Sequence, residues 1–597
     1  MLSSILAIGS ALLSFTFAQT STLYVEPNVP TGTPVPGNYT GGLRPQIHFS
    51  PPQHFMNGWL NLGPTELVIL TTSQIPMECL LMPVEHGIYT TNVTDSAVSS
   101  RKTLADPFAD DPTGITAGNQ HWGHATTRDL YHWVNQPIAI FAINASSYIF
   151  SGSAVVDVNN TSGFFPNQNN GVVAIFTIAT YAPIGLESQG IAYSIDGGYT
   201  FTMYSGNPVL DIGSNQFRDP KVIWYEDHWA MVVAFAQEFV VGIFTSPDLK
   251  DWTFASNFSH YGLLGLQYEC PNLVEMPVDG TNDTMWLLQI SINPGAPLGG
   301  SISQSFPGTF DGYTFTAIDD VTRINDFAKD NYAGQFFYGL PGTEAVSIAW
   351  ASNWQYAQDV PTGPRENWRS AMSLPRKNSL RQIERIGYVL VSEPYDLSPV
   401  LGQQLAAKTF GNGSIAVDFS TIYSNAVYFE ANVTNIPMAN PSGTLNFTFI
   451  SPISGEYLQG GFYFGGDNPF FINRGGVRGY DNVFFTDKFS TNTLLNGTWN
   501  IQGVFDRSML EVFLDRGAHS GTTTFYPEQP LTLMTMAVAG LPPGNMTVSA
   551  AVYEIKSAWQ QYENDQGTVL GNVTRSNGTY GSYAKRNHPR MAYKAGF

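Results

Sequence analysis

SPDLKDWTF, residues 246–254, reads as an acidic turn that opens into an aromatic strand. The same phrase stands upstream as DLYHW (129–133) and IDGGYTF (195–201). From about Gln120 to Ser352, turn signals separate short runs rich in β-branched and aromatic residues: 172–178, 190–195, 222–224, 229–235 and 240–245. Long helical periodicity is nearly absent. Recurrence of one turn-and-strand unit points to a β-propeller, in which each blade buries its faces against its neighbours. On pattern alone, a β-sandwich is the alternative.

A second all-β region follows. Residues 393–405 (EPYDLSPVLGQQL) form a connector, and the strands expected at 414–419, 426–431 and 509–514 read as a sandwich. The fold class is therefore all-β. The expected organisation is a propeller over 19–395, a linker over 396–408, a sandwich over 409–560 and a polar, loosely ordered tail over 561–597. At the N-terminus, an apolar run over 5–17 ends in Thr16-Phe17-Ala18, so residues 1–18 read as a signal peptide of a secreted, extracellular protein. Fourteen N-x-[ST] sequons, among them Asn38, Asn144, Asn257, Asn432 and Asn577, agree with export and glycosylation.

Bulk composition removes several function classes. At 597 residues the chain exceeds one ordinary core, so two folded units or one very large one are expected. With 43% hydrophobic and only 12% charged residues it is a globular chain. A net charge of −20 opposes binding to nucleic acid or anionic lipid, and no later run approaches the roughly 20 apolar residues that span a bilayer. Aromatic residues, at 13%, suit stacking on sugar rings, and a large β-rich core would use them equally well. Cys79 and Cys270 are the only cysteines, which rules out a disulfide framework. Zinc-type Cys/His spacing and phosphate-binding glycine loops are both lacking, so no metal and no cofactor are expected. The oligomeric state is open, a homodimer being one option.

Three short pieces carry chemistry. YIFSGSAV (148–155) places Phe150, Ser151 and Ser153 at a strand-to-turn junction. FRDPKV (217–222) sets Arg218 and Asp219 before Pro220, where a strand begins. YECPNL (268–273) isolates Glu269 within an otherwise uncharged stretch, and an acid with no basic neighbour can hold its proton and act as a donor. Taken singly, each also reads as an ordinary turn carboxylate or a loop-locking ion pair.

In this order the pieces resemble glycoside hydrolase family 32, the β-fructofuranosidases, whose pattern runs Asn-Asp-Pro-Asn, Phe-Ser-Gly-Ser, Arg-Asp-Pro, Glu-Cys. The resemblance extends through GNQHWGHATTRDLYHW (118–133), DNYAGQFFYG (330–339), NWQYAQDVPTGPRENWRSAMSLPR (353–376) and VFDRSMLEVFLDRG (504–517), and covers about 40–555. The chain is most similar to the fungal branch of fructosyltransferases and invertases. The resemblance implies a five-bladed propeller followed by a β-sandwich, a pocket at the propeller axis, and sucrose and fructo-oligosaccharides as substrates. It implies Glu269 as general acid/base and Asp219 as transition-state stabiliser, with Arg218 on fructosyl hydroxyls. Trp122, Phe150 and Ser151 would line the fructose pocket, Asn57 would adjoin the nucleophile, and Asp330 is a further sugar contact. Such a pair of carboxyls suits a retaining reaction through an oxocarbenium-like state and a fructosyl-enzyme, discharged by water or by a sugar hydroxyl.

One stretch departs from the pattern. In HFSPPQHFMNGWLN (48–61), Asn57 is followed by Gly58-Trp59-Leu60 where the family continues Asp-Pro-Asn, and the likeness resumes abruptly at Pro112. Non-coding sequence translated into the chain is the preferred reading of residues 58–111, because the edges are sharp. A chain that has lost its nucleophile is the second reading. The third is a substitute carboxylate among Glu66, Glu85, Asp95, Asp106, Asp110 and Asp111. Under the first two, turnover by the chain as written is impaired, and the competing function is a non-catalytic secreted protein that binds fructans. Strands for the first blade are also wanting, with only 66–72 as a candidate.

Overall fold

Turn chemistry builds the N-terminal half. Asp248 Oδ1 accepts the N–H groups of Lys250 and Asp251, both at 2.9 Å. Asp129 does the same for Tyr131 and His132 at 3.0 and 2.8 Å, and Asp196 for Tyr199 and Thr200 at 3.1 and 2.9 Å. A fourth copy, which sequence reading passed over, uses Asp311 to hold Tyr313 and Thr314 at 3.0 and 2.7 Å. Each turn joins the outermost strand of a sheet to the antiparallel strand beside it, so the aspartate fixes where the chain reverses.

The computed structural model describes residues 37–56 and 120–559 apart from 128, 145–146, 181–184, 341–343, 494 and 543–545. It also describes the backbone of the short strands 25–26, 61–65, 77–85, 562–564 and 569–570. Residues 54–394 supply five sheets of four to six strands, and residues 401–555 supply two sheets of six strands each. The first part is a β-propeller and the second a β-sandwich. Four of the propeller sheets begin with Ser147–Val156, Phe217–Tyr225, Tyr268–Pro277 and Tyr332–Phe336. In the fifth, His54–Met56 pairs in parallel with Trp368–Arg369, so a late segment of the propeller joins the earliest sheet.

That sheet corrects one expectation. Between His54–Met56 and Gln120–Thr127 lies Met77–Glu85, itself paired with Asn61–Thr65. Strands from the departing stretch therefore complete the sheet, because an apolar run beside two open strand edges pairs with them whatever its origin. Residues 66–72, the candidate from sequence, lie outside the described residues, as do residues 1–18. The linker expected over 396–408 also ends sooner: Leu401–Phe410 is a strand on Thr547–Ile555.

The sandwich core follows from alternation. Thr444–Ile450 buries every second residue, bringing Phe447 and Phe449 onto Phe429 and Phe505; Phe449 and Phe505 stack at 4.2 Å. Where propeller meets sandwich, the contact is charged and dry. His48 lies between Asp506 (2.8 Å) and Glu511 (3.2 Å), and Glu511 also takes Arg376 at 2.6 Å. Nearby, Arg474 pairs with Asp330 at 2.8 Å.

Candidate active site

The first strands of four adjacent propeller sheets share a defect, and the defect builds the site. Pairing slips between Ile149 and Gly152, between Arg218 and Lys221, between Glu269 and Asn272, and between Tyr332 and Gln335. A bulge of this kind re-aims the side chains beside it. Asp219, Cys270 and Ala333 take positive φ at three of these slips (68°, 55° and 55°). At the fourth stands Gly152, where a Cβ would meet the carbonyl oxygen of Ile175 at 1.9 Å. The glycine of Phe-Ser-Gly-Ser is there because nothing larger fits.

The bulges bring together residues far apart in sequence. Arg218 Nε lies 3.5 Å from Glu269 Oε1, and its Nη2 donates to Gln267 Oε1 at 2.9 Å. Gln267 in turn donates to Glu269 Oε1 at 3.0 Å, and the Tyr332 hydroxyl donates to Glu269 Oε2. Asp219 accepts the Cys270 N–H at 3.0 Å, while its own N–H donates to Thr177 Oγ1 at 3.0 Å. Of the residues expected from sequence, Arg218, Asp219 and Glu269 thus form one cluster.

Burial governs its electrostatics. It raises the Glu269 carboxyl above the usual range, opposed by Arg218 and by the Tyr332 hydrogen bond. Burial likewise pushes Asp219 up to about 7, with Arg218 opposing and Glu269 adding to the rise. Two largely enclosed carboxyls beside one guanidinium do not both shed their protons cheaply, so the pair keeps a proton to higher pH than free carboxyls would. That is the state a general acid needs before it protonates a leaving oxygen.

Other expected residues fall elsewhere. Trp122 is 1% exposed, packs edge-on against Phe176, and donates its indole N–H to the Phe150 carbonyl at 2.9 Å. It braces the strand that carries Phe150 and Ser151, with its one donor on that strand. Ser151 is 2% exposed on the same bulged strand. Asp330 is fully buried and bound by Arg474, by Thr524 and by the Tyr356 hydroxyl. Its carboxylate ties propeller to sandwich. Asn57 lies outside the described residues. The strand leading to it ends at Met56, whose carbonyl accepts the Trp350 indole N–H at 3.0 Å. Trp350 in turn packs edge-on against Tyr332, the partner of Glu269.

Sequence reading missed Glu187, Gln216, Gln267 and Tyr332. Glu187 binds Arg218 Nη1 through both oxygens at 3.0 Å, and Gln216 accepts from the same nitrogen at 3.2 Å. Gln267 had a signal, since it stands two residues before Glu269 and strand neighbours at that spacing share a face.

Comparison with known proteins identifies the family. Residues 108–394 match the glycosyl hydrolases family 32 N-terminal domain and residues 452–553 the family 32 C-terminal domain. The chain is similar to an invertase of Schizosaccharomyces pombe (35% identical, covering 90% of both chains). It is also similar to an extracellular exo-inulinase of Meyerozyma guilliermondii (39% identical, covering 68% of this chain and 81% of the other). Among solved structures, a fructofuranosidase from Schwanniomyces occidentalis complexed with fructosylnystose superposes with a TM-score of 0.73 at 31% identity, covering 88% of this chain and all of that one.

Proposed function

The chain belongs to family 32 of the glycosyl hydrolases, and from that premise we propose a secreted, glycosylated, retaining β-fructofuranosidase acting on the terminal β-fructofuranosyl bond of sucrose and short fructans. The observation that carries this reading is the Glu269 carboxyl, partly buried and gripped by Arg218, Gln267 and Tyr332 beside Asp219. We assign one blade to each of the five sheets.

Glu269 protonates the oxygen that leaves with glucose. As C2 of the fructosyl unit gains positive charge, the Asp219 carboxylate stabilises it, and the backbone N–H of Cys270 keeps that carboxylate fixed. After the leaving group departs, Glu269 is a base and draws a proton from incoming water or from a sugar hydroxyl. Ser151 is proposed on the fructose side of the pocket, with Phe150 beside it.

The covalent step needs a third carboxylate, and the sequence after Asn57 contains no Asp-Pro-Asn. We therefore propose that the chain as written turns over poorly, and that the working enzyme carries that motif next to Asn57. Loss of a nucleophile that acts as a unit with its partners costs up to about 10⁶-fold in rate. Sequencing the mature transcript between Arg44 and Trp133 decides the first point. An Asp-Pro-Asn codon run after Asn57, with residues 58–111 gone, is the expected result. Glucose release from sucrose decides the second: the restored chain is active, and E269Q lowers its rate by about 10²–10⁴-fold. Binding of a fructan by the restored chain without glucose release would overturn the catalytic reading.

A further inference from the structure

Glu187 is the third carboxylate around Arg218, and the catalytic account above leaves it without a role. It sits at the start of Leu186–Ser194, in the sheet next to the one that carries Arg218, and is 8% exposed. Its two oxygens both lie 3.0 Å from Arg218 Nη1, whereas Glu269 Oε1 lies 3.5 Å from Nε. The guanidinium is thus held more closely by Glu187 than by the acid it flanks. Gln216 and Gln267 take further donors on the same guanidinium, at 3.2 and 2.9 Å.

Charge makes this arrangement consequential. One guanidinium faces three carboxyls, those of Glu187, Asp219 and Glu269. If Arg218 paired fully with Glu269, the ionised form of that acid would be favoured and its proton lost too early. The groups facing Glu269 are Arg218 and Asp219 from Phe217–Tyr225, Tyr332 from Tyr332–Phe336, Glu187 from Leu186–Ser194, and Gln267 and Cys270 beside it in the chain. Of these, Glu187 is the acid in direct contact with Arg218 on the side away from Glu269.

We infer that Glu187 is a positioning residue that holds Arg218 off Glu269 and so leaves Glu269 able to carry the proton it donates. The inference rests on the catalytic reading above and adds a control element to it. E187Q keeps the shape and removes the charge. Arg218 then turns its full charge on Glu269, and one source of repulsion between carboxyls disappears. Both effects favour ionised Glu269, so the alkaline limb of the kcat profile moves to lower pH.

The test uses the full chain carrying the Asp-Pro-Asn motif, with sucrose as substrate. E187Q is expected to shift the alkaline limb down by about one pH unit, which is a loss of about tenfold at a fixed pH on that limb. The acid limb stays in place. E187D, whose carboxylate is one methylene further from Arg218, is expected between E187Q and the parent, and it decides the matter if E187Q does not fold. A fall in kcat of equal size at every pH, with the limb unmoved, would show a merely structural role and overturn the inference. If the parent releases no glucose, the catalytic reading fails separately. The inference is then judged by infrared titration of the carboxyl band that E269Q removes. A lower midpoint in E187Q supports it, and an unchanged midpoint overturns it.

Discussion

Replacing Asp330 by Asn separates a structural carboxylate from a substrate contact. Asp330 is fully buried; its Oδ2 accepts Arg474 Nη1 at 2.8 Å, Thr524 N at 2.9 Å and Thr524 Oγ1 at 3.1 Å. Arg474 is fully enclosed too, lying 3.4 Å from the Phe485 ring centroid and 4.8 Å from that of Phe489. D330N leaves that guanidinium in a dry interface with no counter-charge, and breaking a buried pair from one side costs about 3–5 kcal/mol. Urea unfolding followed by tryptophan fluorescence should show a loss of that size. The double variant D330N/R474M should recover at least half of it, because the stranded charge is gone and Met packs on the same rings. KM for sucrose should stay within about twofold of the parent, since the carboxylate does not reach the Glu269 cluster. A sugar contact would behave in the opposite way, because a lost hydrogen bond to a charged group is worth about 1.5–3 kcal/mol, or more than tenfold in KM. A tenfold rise in KM with unchanged stability would refute the placement.

Three further perturbations test other parts of the account. Burial depresses His48, but its hydrogen bonds to Asp506 and Glu511 outweigh this and raise it to about 9. Its folded value exceeds the unfolded one, so its stabilisation is complete below about pH 6.5 and is lost as pH rises through about 9, with a ceiling of about 3 kcal/mol. H48Q should lower stability at pH 6 and flatten its decline between pH 7 and 10, as read by chemical unfolding; an unchanged decline would exonerate His48. Y332F removes a hydrogen bond that favours ionised Glu269, so the alkaline limb should move to higher pH, opposite in sign to E187Q, while kcat falls. G152A forces a Cβ to within 1.9 Å of the Ile175 carbonyl oxygen, which must shift; a loss of about 1–3 kcal/mol, together with loss of sucrose turnover, is expected in unfolding and rate measurements.

Legibility in the sequence followed locality. The aspartate turns were readable because the acid and the N–H groups it holds lie within four residues. Short β-branched and aromatic runs between such turn signals marked strands in the propeller, and similar runs marked strands in the sandwich. Arg218, Asp219 and Glu269 were readable through short motifs, each spanning one bulge. Their partners were not: Glu187 lies 31 residues from Arg218, and Tyr332 lies 63 from Glu269, joined only by the packing of neighbouring sheets. The partners of Asp330 were out of reach for the same reason. A carboxylate looks alike in sequence whether it faces a sugar or an arginine 144 residues away. Nor does the sequence show that the Trp122 indole N–H goes to the Phe150 carbonyl.

The same geometry limits what can follow Asn57. His54–Met56 is held on one edge by Trp368–Arg369 and at its end by the Trp350 indole, so the chain is delivered beside Tyr332 and Glu269. A retaining mechanism needs its two carboxyls about 5–5.5 Å apart, and we propose that the second comes from an aspartate beside Asn57. Glycine at position 58 supplies no carboxylate for that step. On that proposal the Glu269 cluster, with its gripped acid and fixed Asp219, receives its nucleophile from the side of His54–Met56.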